Sequence, residues 1–290
     1  MDNTFVIVTW NSEKQIGQLL DSLHRYEPKS AIVVVDNASS DGTVDIIKKY
    51  DNVKLIQSQS NLGFAKANNL AIKSVHTQFV TFINPDARLH EPVIDHLMHD
   101  MRPSIGLIGV KILNANGALQ PSMYSFQHPM TILIEQFGLG RFLPGRIQQK
   151  LSPEHSSHDR VEDTDWLLGA FLFTSTDKYH QVGGFSEDYF LYSEDMDLAY
   201  KYHLHGMKVH FDPGKSIIHQ GGASEQQTSS AKSLKLLRSF CIFARKYHLN
   251  NNIKTLYWSY RIKALIFGMI DRQRANRYRN NVKYLKGQLK

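Results

Sequence analysis

The 290-residue sequence contains a single cysteine, Cys241, so a disulfide within one chain is excluded. It also lacks any run of about 18 uncharged apolar residues, so we expect no membrane-spanning helix. The opening residues, MDNTFVIVTW, lack the basic and apolar stretches and the cleavage site of a secretion signal. Since 42% of the residues are hydrophobic, the sequence predicts a folded chain of cytosolic origin.

Acidic residues are scarce near the C-terminus. Residues 232–290 contain 15 of the 34 lysines and arginines but one of the 27 acids, Asp271, which gives a net charge of +14. The rest of the chain holds 19 basic and 26 acidic residues, a net charge of −7. We therefore predict a catalytic domain at 1–227 and a basic, amphipathic helical region at 228–290 that has an anionic partner of its own.

The dinucleotide-binding motif G-x-G-x-x-G is absent after the first apolar run, where TWNSEKQIG stands instead, and this argues against a nicotinamide or flavin enzyme. Runs of strand length lie at 4–10, 31–35, 53–57 and 78–83, with helix-like stretches between them, for example at 15–26 and 64–75. This alternation predicts an α/β fold with a parallel sheet, in which ligands bind at the carboxyl ends of the strands.

The loop after the second strand begins with Asp36, in DNASSDGT. A carboxylate at that position can accept a hydrogen bond from a ribose hydroxyl or from the imide N–H of a pyrimidine base. The same residues are also typical of a plain turn into a helix, with Asp41 as the N-terminal cap. The loop by itself leaves both interpretations open.

The fourth strand runs into Asn84, Pro85 and Asp86. Pro85 fixes its own φ and favours an extended conformation at Asn84, so Asp86 should lie at the carboxyl end of the strand. A carboxylate there suits Mg²⁺ or Mn²⁺, which also bind the phosphate oxygens of a substrate. An ordinary turn at the end of a strand is the alternative.

Six motifs, in order over residues 4–225, resemble the inverting glycosyltransferase family 2, and specifically its rhamnosyltransferase-like branch. They are VVVDNASSDGT, NLGFAKAN, INPDARL, WLLGA, LYSEDMDL and IIHQGG. The resemblance implies a GT-A fold, which is a Rossmann-like mixed sheet flanked by helices, and here it would carry the basic helical extension. It also implies a nucleotide-sugar donor and a divalent metal, Mn²⁺ or Mg²⁺. Asn84 stands in place of the first aspartate of the family's D-x-D motif, which leaves Asp86 as the single metal carboxylate of that motif.

The resemblance assigns roles to individual residues. It implies Asp195 as the catalytic base and Asp86 and His219 as metal ligands. The residues expected to bind the nucleotide are Thr9, Asn11, Asp36, Asn61, Gly63, Asn68 and Asn84. The residues expected to bind the acceptor or the sugar are Trp166, Gly169, Ala170 and Glu194.

The segment YSEDMDLAYKYHLHG predicts a helix that begins near Ser193 and stops at Gly206. Apolar residues three, four and seven positions after Asp195 share its face, so its carboxylate should point inward. Inverting transfer needs one base to take the proton of the acceptor hydroxyl, and a helix N-terminus favours the ionised form by ~0.3 to 1 kcal/mol. Glu194, Asp195 and Asp197 can equally be ordinary acids of a first helical turn, which complement the helix dipole. The resemblance favours Asp195 as the base.

His219 ends the apolar run SIIH, and a histidine in such a run is most often a core or solvated residue. Imidazole is nevertheless a competent metal ligand beside a carboxylate, and the resemblance places a metal-contacting histidine here. Residues 166–170 are predicted to form a strand, in which Gly169 lets the substrate approach the sheet and Trp166 offers a stacking face.

Between 233 and 270 aromatic and aliphatic residues alternate with lysine and arginine. This pattern is typical of helices that lie on an anionic membrane surface; packing on the catalytic domain is the alternative. No nucleic-acid recognition motif accompanies the charge, so we expect no nucleic-acid partner.

The sequence as a whole predicts an inverting, metal-dependent glycosyltransferase that is cytoplasmic and peripheral on the inner face of the cell membrane. It would transfer a sugar, L-rhamnose from dTDP-rhamnose, to a lipid-linked or oligosaccharide acceptor in cell-surface polysaccharide synthesis. The alternatives are a UDP-sugar-dependent hexosyl or N-acetylhexosaminyl transferase and a catalytically silent nucleotide-binding protein. The oligomeric state is left open.

Overall fold

The computed structural model describes residues 2–145, 151, 154, 156–221 and 229–289. The chain divides into two units, Met1–Tyr124 with Glu154–Gln226, and Ser125–Pro153 with Gln227–Lys290. An interior segment therefore belongs with the C-terminal helices, whereas the sequence analysis draws a single boundary at residue 227.

The described residues of the first unit form twelve strands. They are β1 (Asn3–Thr9), β2 (Ala31–Asp36), β3 (Val53–Gln57), β4 (Phe79–Ile83), β5 (Ala87–Leu89), β6 (Ile105–Leu113), β7 (Leu119–Gln120), β8 (Met123–Tyr124), β9 (Glu162–Thr164), β10 (Trp166–Leu167), β11 (Phe171–Ser175) and β12 (Lys208–His219). The main sheet has the order β3-β2-β1-β4-β11-β6-β12-β5, with β7 on β6 and β9 on β12, while β8 and β10 form a separate ladder.

The described helices belong to both units. They are α1 (Ile16–Tyr26), α2 (Thr43–Ile47), α3 (Phe64–Ile72), α4 (Ile94–Asp100), α5 (Pro129–Phe137), α6 (Thr176–Gln181), α7 (Glu194–Leu204), α8 (Ser229–Lys246), α9 (Asn250–Gly268) and α10 (Arg272–Gln288). Helices α5, α8, α9 and α10 lie in the second unit, and the others lie in the first.

The predicted parallel sheet is present at β1 to β4, where β1 pairs in parallel with both β2 and β4 and β2 pairs in parallel with β3. All of β1 and β4 is buried, because helices cover both faces of the sheet. Strand β11 joins β4 antiparallel and makes the sheet mixed. The parallel register sets Thr9 beside Asp36, so the predicted donor residues share one edge of the sheet.

Alternate residues of β1 contribute to two hydrophobic clusters. Phe5 and Ile7 pack with α1 on one side, and Val6 and Val8 pack with α3 and α7 on the other. The predicted strand at 166–170 is shorter in the structure, since β10 ends at Leu167 and a turn follows.

The second unit has its own core. Its buried members are Ile132 of α5, Leu237, Cys241 and Ala244 of α8, Ile253 and Leu256 of α9, and Leu285 of α10. Burial raises the pKa of the Cys241 thiol to about 11, so the thiol stays protonated at neutral pH. Among the helices in the described ranges, none is long and apolar enough to cross a bilayer.

Candidate active site at the carboxyl edge of the sheet

Asp36 lies at the end of β2, 2% exposed. Its Oδ1 accepts the hydroxyl of Thr9 at 3.1 Å and the hydroxyl of Ser39 at 2.5 Å, and its Oδ2 accepts the backbone N–H of Ser39 at 3.0 Å. Asn11, at φ 51°, accepts the backbone N–H of Ser40 at 2.8 Å. Thr9 and Asn11 therefore hold the Asp36 loop in place, and a second lone pair on Oδ2 stays available to a donor N–H or O–H.

The predicted donor motif NLGFAKAN forms a turn and the start of α3. Asn61 accepts the backbone N–H of Gly63 at 2.9 Å, and Asn37 donates to the carbonyl of Gly63 at 3.2 Å. Asn68 lies in the interior, 1% exposed, and donates to the carbonyl of Phe64 in its own helix at 2.9 Å. Asn61 and Gly63 thus shape the loop, and Asn68 stabilises the first turn of α3, which follows the loop.

A left-handed turn connects this loop to the helix that carries Asp195. Tyr192 and Ser193 have φ of 72° and 66°, a conformation that costs a side chain roughly 1 to 3 kcal/mol. Just before them, Phe190 accepts the backbone N–H of Phe64 at 3.0 Å. Gly63 has φ 80°, and a Cβ there would lie 2.5 Å from the Phe190 carbonyl oxygen, so glycine is required both for the conformation and for the contact.

Asp86 and His219 lie side by side because β5 and β12 pair antiparallel with Ala87 opposite His219. Nε2 of His219 is 3.2 Å from Oδ1 of Asp86 and 3.3 Å from Nδ2 of Asn84. Nδ1 of His219 is 3.0 Å from Oε1 of Gln120. Since an amide oxygen can only accept, Nδ1 carries the proton, and in the neutral ring the lone pair of Nε2 faces Asp86.

This donor set fits a divalent cation. Two acceptor atoms 3.2 Å apart repel each other unless a proton or a cation lies between them. Two ligand atoms at about 2.1 Å from one octahedral ion, about 90° apart, would be separated by about 3 Å, which is close to the observed distance. Gln120 supplies the outer hydrogen bond that orients a metal-binding imidazole, and sequence reasoning missed it because β7 is only two residues long.

Asp195 lies in the first turn of α7. Its Oδ2 accepts the backbone N–H of Gly169 at 2.9 Å, and its Oδ1 accepts that of Met196 at 2.8 Å. Burial raises the pKa of Asp195 although both N–H groups oppose the shift. A Cβ on Gly169 would lie 3.3 Å from the Asp195 carboxylate, so the glycine makes room for Asp195.

Packing fixes the direction of α7. Tyr202, on the same helix face as Asp195, is fully buried, and its hydroxyl is 2.7 Å from that of Thr174 in β11. A Cβ on Gly106 of β6 would lie 2.3 Å from the Tyr202 ring, so the ring rests directly on the sheet. Asp197 is fully buried and bonds the hydroxyls of Ser186 and Tyr189, which gives this third acid of the motif a structural partner set.

The carboxylate of Asp195 and the Asp86–His219 pair lie on either side of one short turn. Gly169 donates to Asp195, and the next residue, Ala170, accepts the backbone N–H of Asn84 at 3.1 Å. Consecutive Cα atoms are about 3.8 Å apart, so a two-residue turn links the base candidate to the strand end that carries the metal candidate. Ala170 is 1% exposed and contributes through its backbone.

Glu194, next to the base candidate, is 6% exposed, and its Oε2 has no hydrogen-bond partner among the described residues. Burial, and then the charge of Asp195, raise the pKa of Glu194 to about 8. Glu194 therefore carries a proton at neutral pH and has an O–H to donate, and the charge of Asp195 helps to keep that proton in place.

We expect Glu194→Gln to stabilise the protein increasingly as the pH rises. The folded pKa of about 8 lies above the ordinary glutamate pKa of 4.5, so the glutamate costs stability at a pH where the unfolded chain ionises and the folded chain does not. The difference should be small at pH 5 and reach on the order of 5 kcal/mol by pH 9, as measured by urea denaturation.

The matched control is Glu187→Gln, a change of the same kind at an exposed glutamate nearby. It should alter the free energy of unfolding by less than about 0.5 kcal/mol at every pH. A Glu194→Gln effect that does not vary between pH 5 and pH 9 would mean that Glu194 is ionised in the folded state.

An aromatic pair lies beside Asp195. The ring of Trp166 in β10 stacks on Tyr124 in β8, with centroids 4.3 Å apart and planes 18° from parallel. Burial, and then the charge of Asp195, raise the pKa of Tyr124 to about 12. Tyr124 is a further member of the site that sequence reasoning missed, because β8 pairs with β10 only in the tertiary structure.

One group of three or more His, Cys, Asp and Glu residues in the described ranges has ligand atoms within 4.8 Å of one another, and it is not the predicted metal pair. It consists of His96 and Asp100 of α4 and Asp212 of β12. Nε2 of His96 is 2.8 Å from Oδ2 of Asp212, whose Oδ1 accepts the backbone N–H of Gly214 at 2.7 Å. These bonds tie the irregular part of β12 to α4.

Comparison with known proteins agrees with the family resemblance of the sequence. The profile described as Glycosyl transferase family 2 matches residues 4–137. N-acetylglucosaminyl-diphospho-decaprenol L-rhamnosyltransferase of Mycobacterium tuberculosis is 27% identical over 272 residues, 88% of each chain. Rhamnosyltransferase WbbL of Escherichia coli is 25% identical over 255 residues, 85% of this chain and 94% of that one.

A mannosyltransferase from Pyrobaculum calidifontis, solved with GDP-mannose and Mn²⁺, superimposes with a TM-score of 0.57 at 15% identity, over 99% of this chain and 75% of that chain. At this identity the similarity shows the fold, and the fold is GT-A, as the sequence resemblance implied. Residues 4–137 thus match glycosyltransferase family 2, as the sequence resemblance implied, and similarity to the two rhamnosyltransferases extends over most of the chain.

Proposed function

We propose that this protein is an inverting glycosyltransferase that moves L-rhamnose from dTDP-rhamnose to a lipid-linked or oligosaccharide acceptor in cell-surface polysaccharide synthesis. The observation that carries the proposal is the position of Asp195. Its carboxylate is held by two backbone N–H groups, one turn away from the Asp86–His219 pair. A silent nucleotide-binding protein would have no use for such a carboxylate.

In this mechanism Asp195 takes the proton of the acceptor hydroxyl while the hydroxyl oxygen forms a bond to the anomeric carbon. The bond from that carbon to the diphosphate oxygen breaks on the opposite side, and its electron pair leaves with the nucleotide diphosphate. Configuration at the anomeric carbon therefore inverts. Asp86 and His219 would hold the Mn²⁺ or Mg²⁺ ion, which supplies positive charge to the leaving diphosphate.

We assign the nucleotide to the edge formed by Asp36, Asn61, Gly63 and Asn84. The free acceptor position of Asp36 suits the imide N–H of a pyrimidine, while Thr9, Asn11 and Asn68 act through the loops that they support. The choice of rhamnose rests on the two rhamnosyltransferase relatives, which match this chain over most of its length.

A panel of nucleotides tests the donor assignment. With Mn²⁺ present, dTDP and UDP at about 100 times Kd should stabilise the protein by about 2.7 kcal/mol, because the ligand binds the folded state alone. GDP should give no shift, since a purine does not fit a pocket built for a pyrimidine edge. Thermal denaturation measures the shift, and release of dTDP from dTDP-rhamnose then tests the sugar.

Asp36→Asn serves as the matched variant, because an amide keeps the size of the side chain and loses an acceptor. It should weaken dTDP and UDP binding by about 1 to 3 kcal/mol. A shift with GDP and none with dTDP or UDP would exclude this pocket. If the protein releases UDP from a UDP-hexose or UDP-N-acetylhexosamine and does not cleave dTDP-rhamnose, the donor is that UDP-sugar and not dTDP-rhamnose.

We assign the acceptor to the surface around Trp166, Tyr124 and Gly169. The stacked rings offer an apolar face to a sugar ring, and the protonated Glu194 offers a hydrogen-bond donor. We place the protein in the cytoplasm, on the inner face of the cell membrane, where the basic second unit would contact anionic lipid and a lipid-linked acceptor would be within reach.

A further inference from the structure

Helix α9 and the residue after it carry an exposed apolar stripe. Trp258, Ile262, Leu265 and Met269 are 56%, 43%, 74% and 90% exposed. Their spacing of four, three and four residues places them within an arc of about 60° on one side of the helix, at about 100° per residue. We define these four residues as the α9 stripe.

The core of the second unit does not use this side of α9. The buried apolar residues Ile253 and Leu256 of the helix belong to that core instead, and Ala264 is buried as well. Lys263, which interrupts the apolar pattern of the sequence, turns away from the stripe and donates to Oε1 of Gln136 in α5 at 2.8 Å. The interrupted sequence pattern therefore conceals a continuous stripe.

Cations border the stripe. The guanidinium of Arg261 lies 4.7 Å from the Trp258 ring centroid, and Lys254 is exposed one turn before Trp258. Arg272, Arg274 and Arg279 of α10 are exposed as well, and residues 232–290 contain a single acid, Asp271. An apolar ridge with a cationic border is complementary to a surface that has an apolar interior and anionic headgroups.

The charge argues against a second copy of the chain as the partner. Two such surfaces would bring together regions that each carry a net charge of +14, counted over residues 232–290, without acids to pair them. A nucleic acid would match the charge, but it would leave Ile262, Leu265 and Met269 in water. An anionic lipid leaflet satisfies both the charge and the apolar side chains.

We propose that the α9 stripe is the membrane-docking surface of this protein, inserted at the boundary between the headgroups and the acyl chains of an anionic leaflet. Trp258 sits at the interface, where tryptophan is enriched, and Arg261 and Lys254 contact lipid phosphates. The inference deepens the proposed membrane location but does not depend on the sugar that is transferred.

The test is co-sedimentation of the full-length chain with vesicles of phosphatidylcholine, with and without about 30 mol% phosphatidylglycerol. The double variant Leu265→Glu/Met269→Glu should lower the partition coefficient on anionic vesicles at least tenfold. Val161→Glu, the same kind of change at an exposed apolar residue of the first unit, 57% exposed, should lower it less than twofold. Raising the salt from about 0.05 to 0.5 M should weaken wild-type binding.

Tryptophan fluorescence reports the insertion directly. Anionic vesicles should shift the wild-type emission to the blue, and Trp258→Phe should lack that shift. Equal binding to neutral and anionic vesicles, no binding to either, or unchanged binding of the double variant would overturn the proposal. So would a wild-type dimer in sedimentation velocity that the double variant dissociates, since the stripe would then be an interface between copies.

The outcome is separable from that of the proposed function. Nucleotide release from dTDP-rhamnose needs no vesicles, and the double variant should release dTDP at the wild-type rate. If the wild type docks but uses no sugar donor, the proposed function fails and the docking surface stands. If the wild type transfers sugar but the double variant docks normally, the docking surface fails and the proposed function stands.

Discussion

Asp195→Asn should reduce sugar transfer by at least about 10²- to 10⁴-fold, because an amide cannot take the proton of the acceptor hydroxyl. Nucleotide binding should stay within about threefold of the wild type, since Asp195 bonds Gly169 and Met196 and not the Asp36 loop. The measurements are transfer rates and titration with dTDP in the presence of Mn²⁺.

The asparagine can accept only one of the two backbone N–H groups that Asp195 accepts, so the variant should also lose about 1 to 2 kcal/mol of stability. Assays are therefore run well below the unfolding temperature. In the wild type, transfer should fall as the pH drops through the raised pKa of Asp195, because the base must be ionised, and the asparagine variant should lack this acid limb. Transfer within threefold of the wild type would remove Asp195 from the role of base.

Asp86→Ala and His219→Ala should each lower transfer by about 10²-fold or more and weaken nucleotide binding in the presence of Mn²⁺. A bound cation supplies several kcal/mol of charge stabilisation to a leaving diphosphate, and each variant removes one of its two predicted ligands. A chelator should reproduce the loss in the wild type and add little in either variant. Transfer rates and dTDP titrations, with and without Mn²⁺, measure these effects.

His96→Ala is the control, because His96 belongs to the second group of carboxylates and imidazole, in α4 and β12. Its transfer should keep the metal dependence of the wild type. If transfer loses its metal dependence in His96→Ala and keeps it in Asp86→Ala, the metal-binding site is the group at α4 and β12. Full wild-type activity in excess chelator would leave Asp86 as a hydrogen-bond acceptor alone.

Local sequence patterns predict the strands and helices of the N-terminal part of the fold. The β-branched runs and the helices between them correspond to β1 through β4 with shifts of a few residues at their ends, because strand and helix periodicity are properties of neighbouring residues. The predicted helix at Ser193 is likewise present, beginning at Glu194. The parallel order then follows from chain connectivity, and it places Thr9 beside Asp36.

The predicted strand at 166–170 shows the limit of such signals. Its five residues read as one apolar run, but β10 ends at Leu167, and Gly169 lies in the turn that follows. The position requires a residue without a side chain, because Asp195, 26 positions later, packs against Gly169. Periodicity cannot report a contact with a distant residue.

What the sequence determines by itself is the type of fold, the basic character of the tail, and the set of residues with suitable chemistry at the ends of the strands. The tertiary structure decides which of them meet. Asn84 and His219 are 135 positions apart, and the pairing of β5 with β12 sets His219 beside Asn84 and Asp86.

Burial by the whole domain raises the pKa of Glu194 to about 8 and leaves its Oε2 without a partner in the described part of the chain. The α9 stripe, too, is recognisable only after the turn of Lys263 toward Gln136 is known. Desolvation and long-range pairing depend on the complete packed chain, and for that reason no local pattern predicts them.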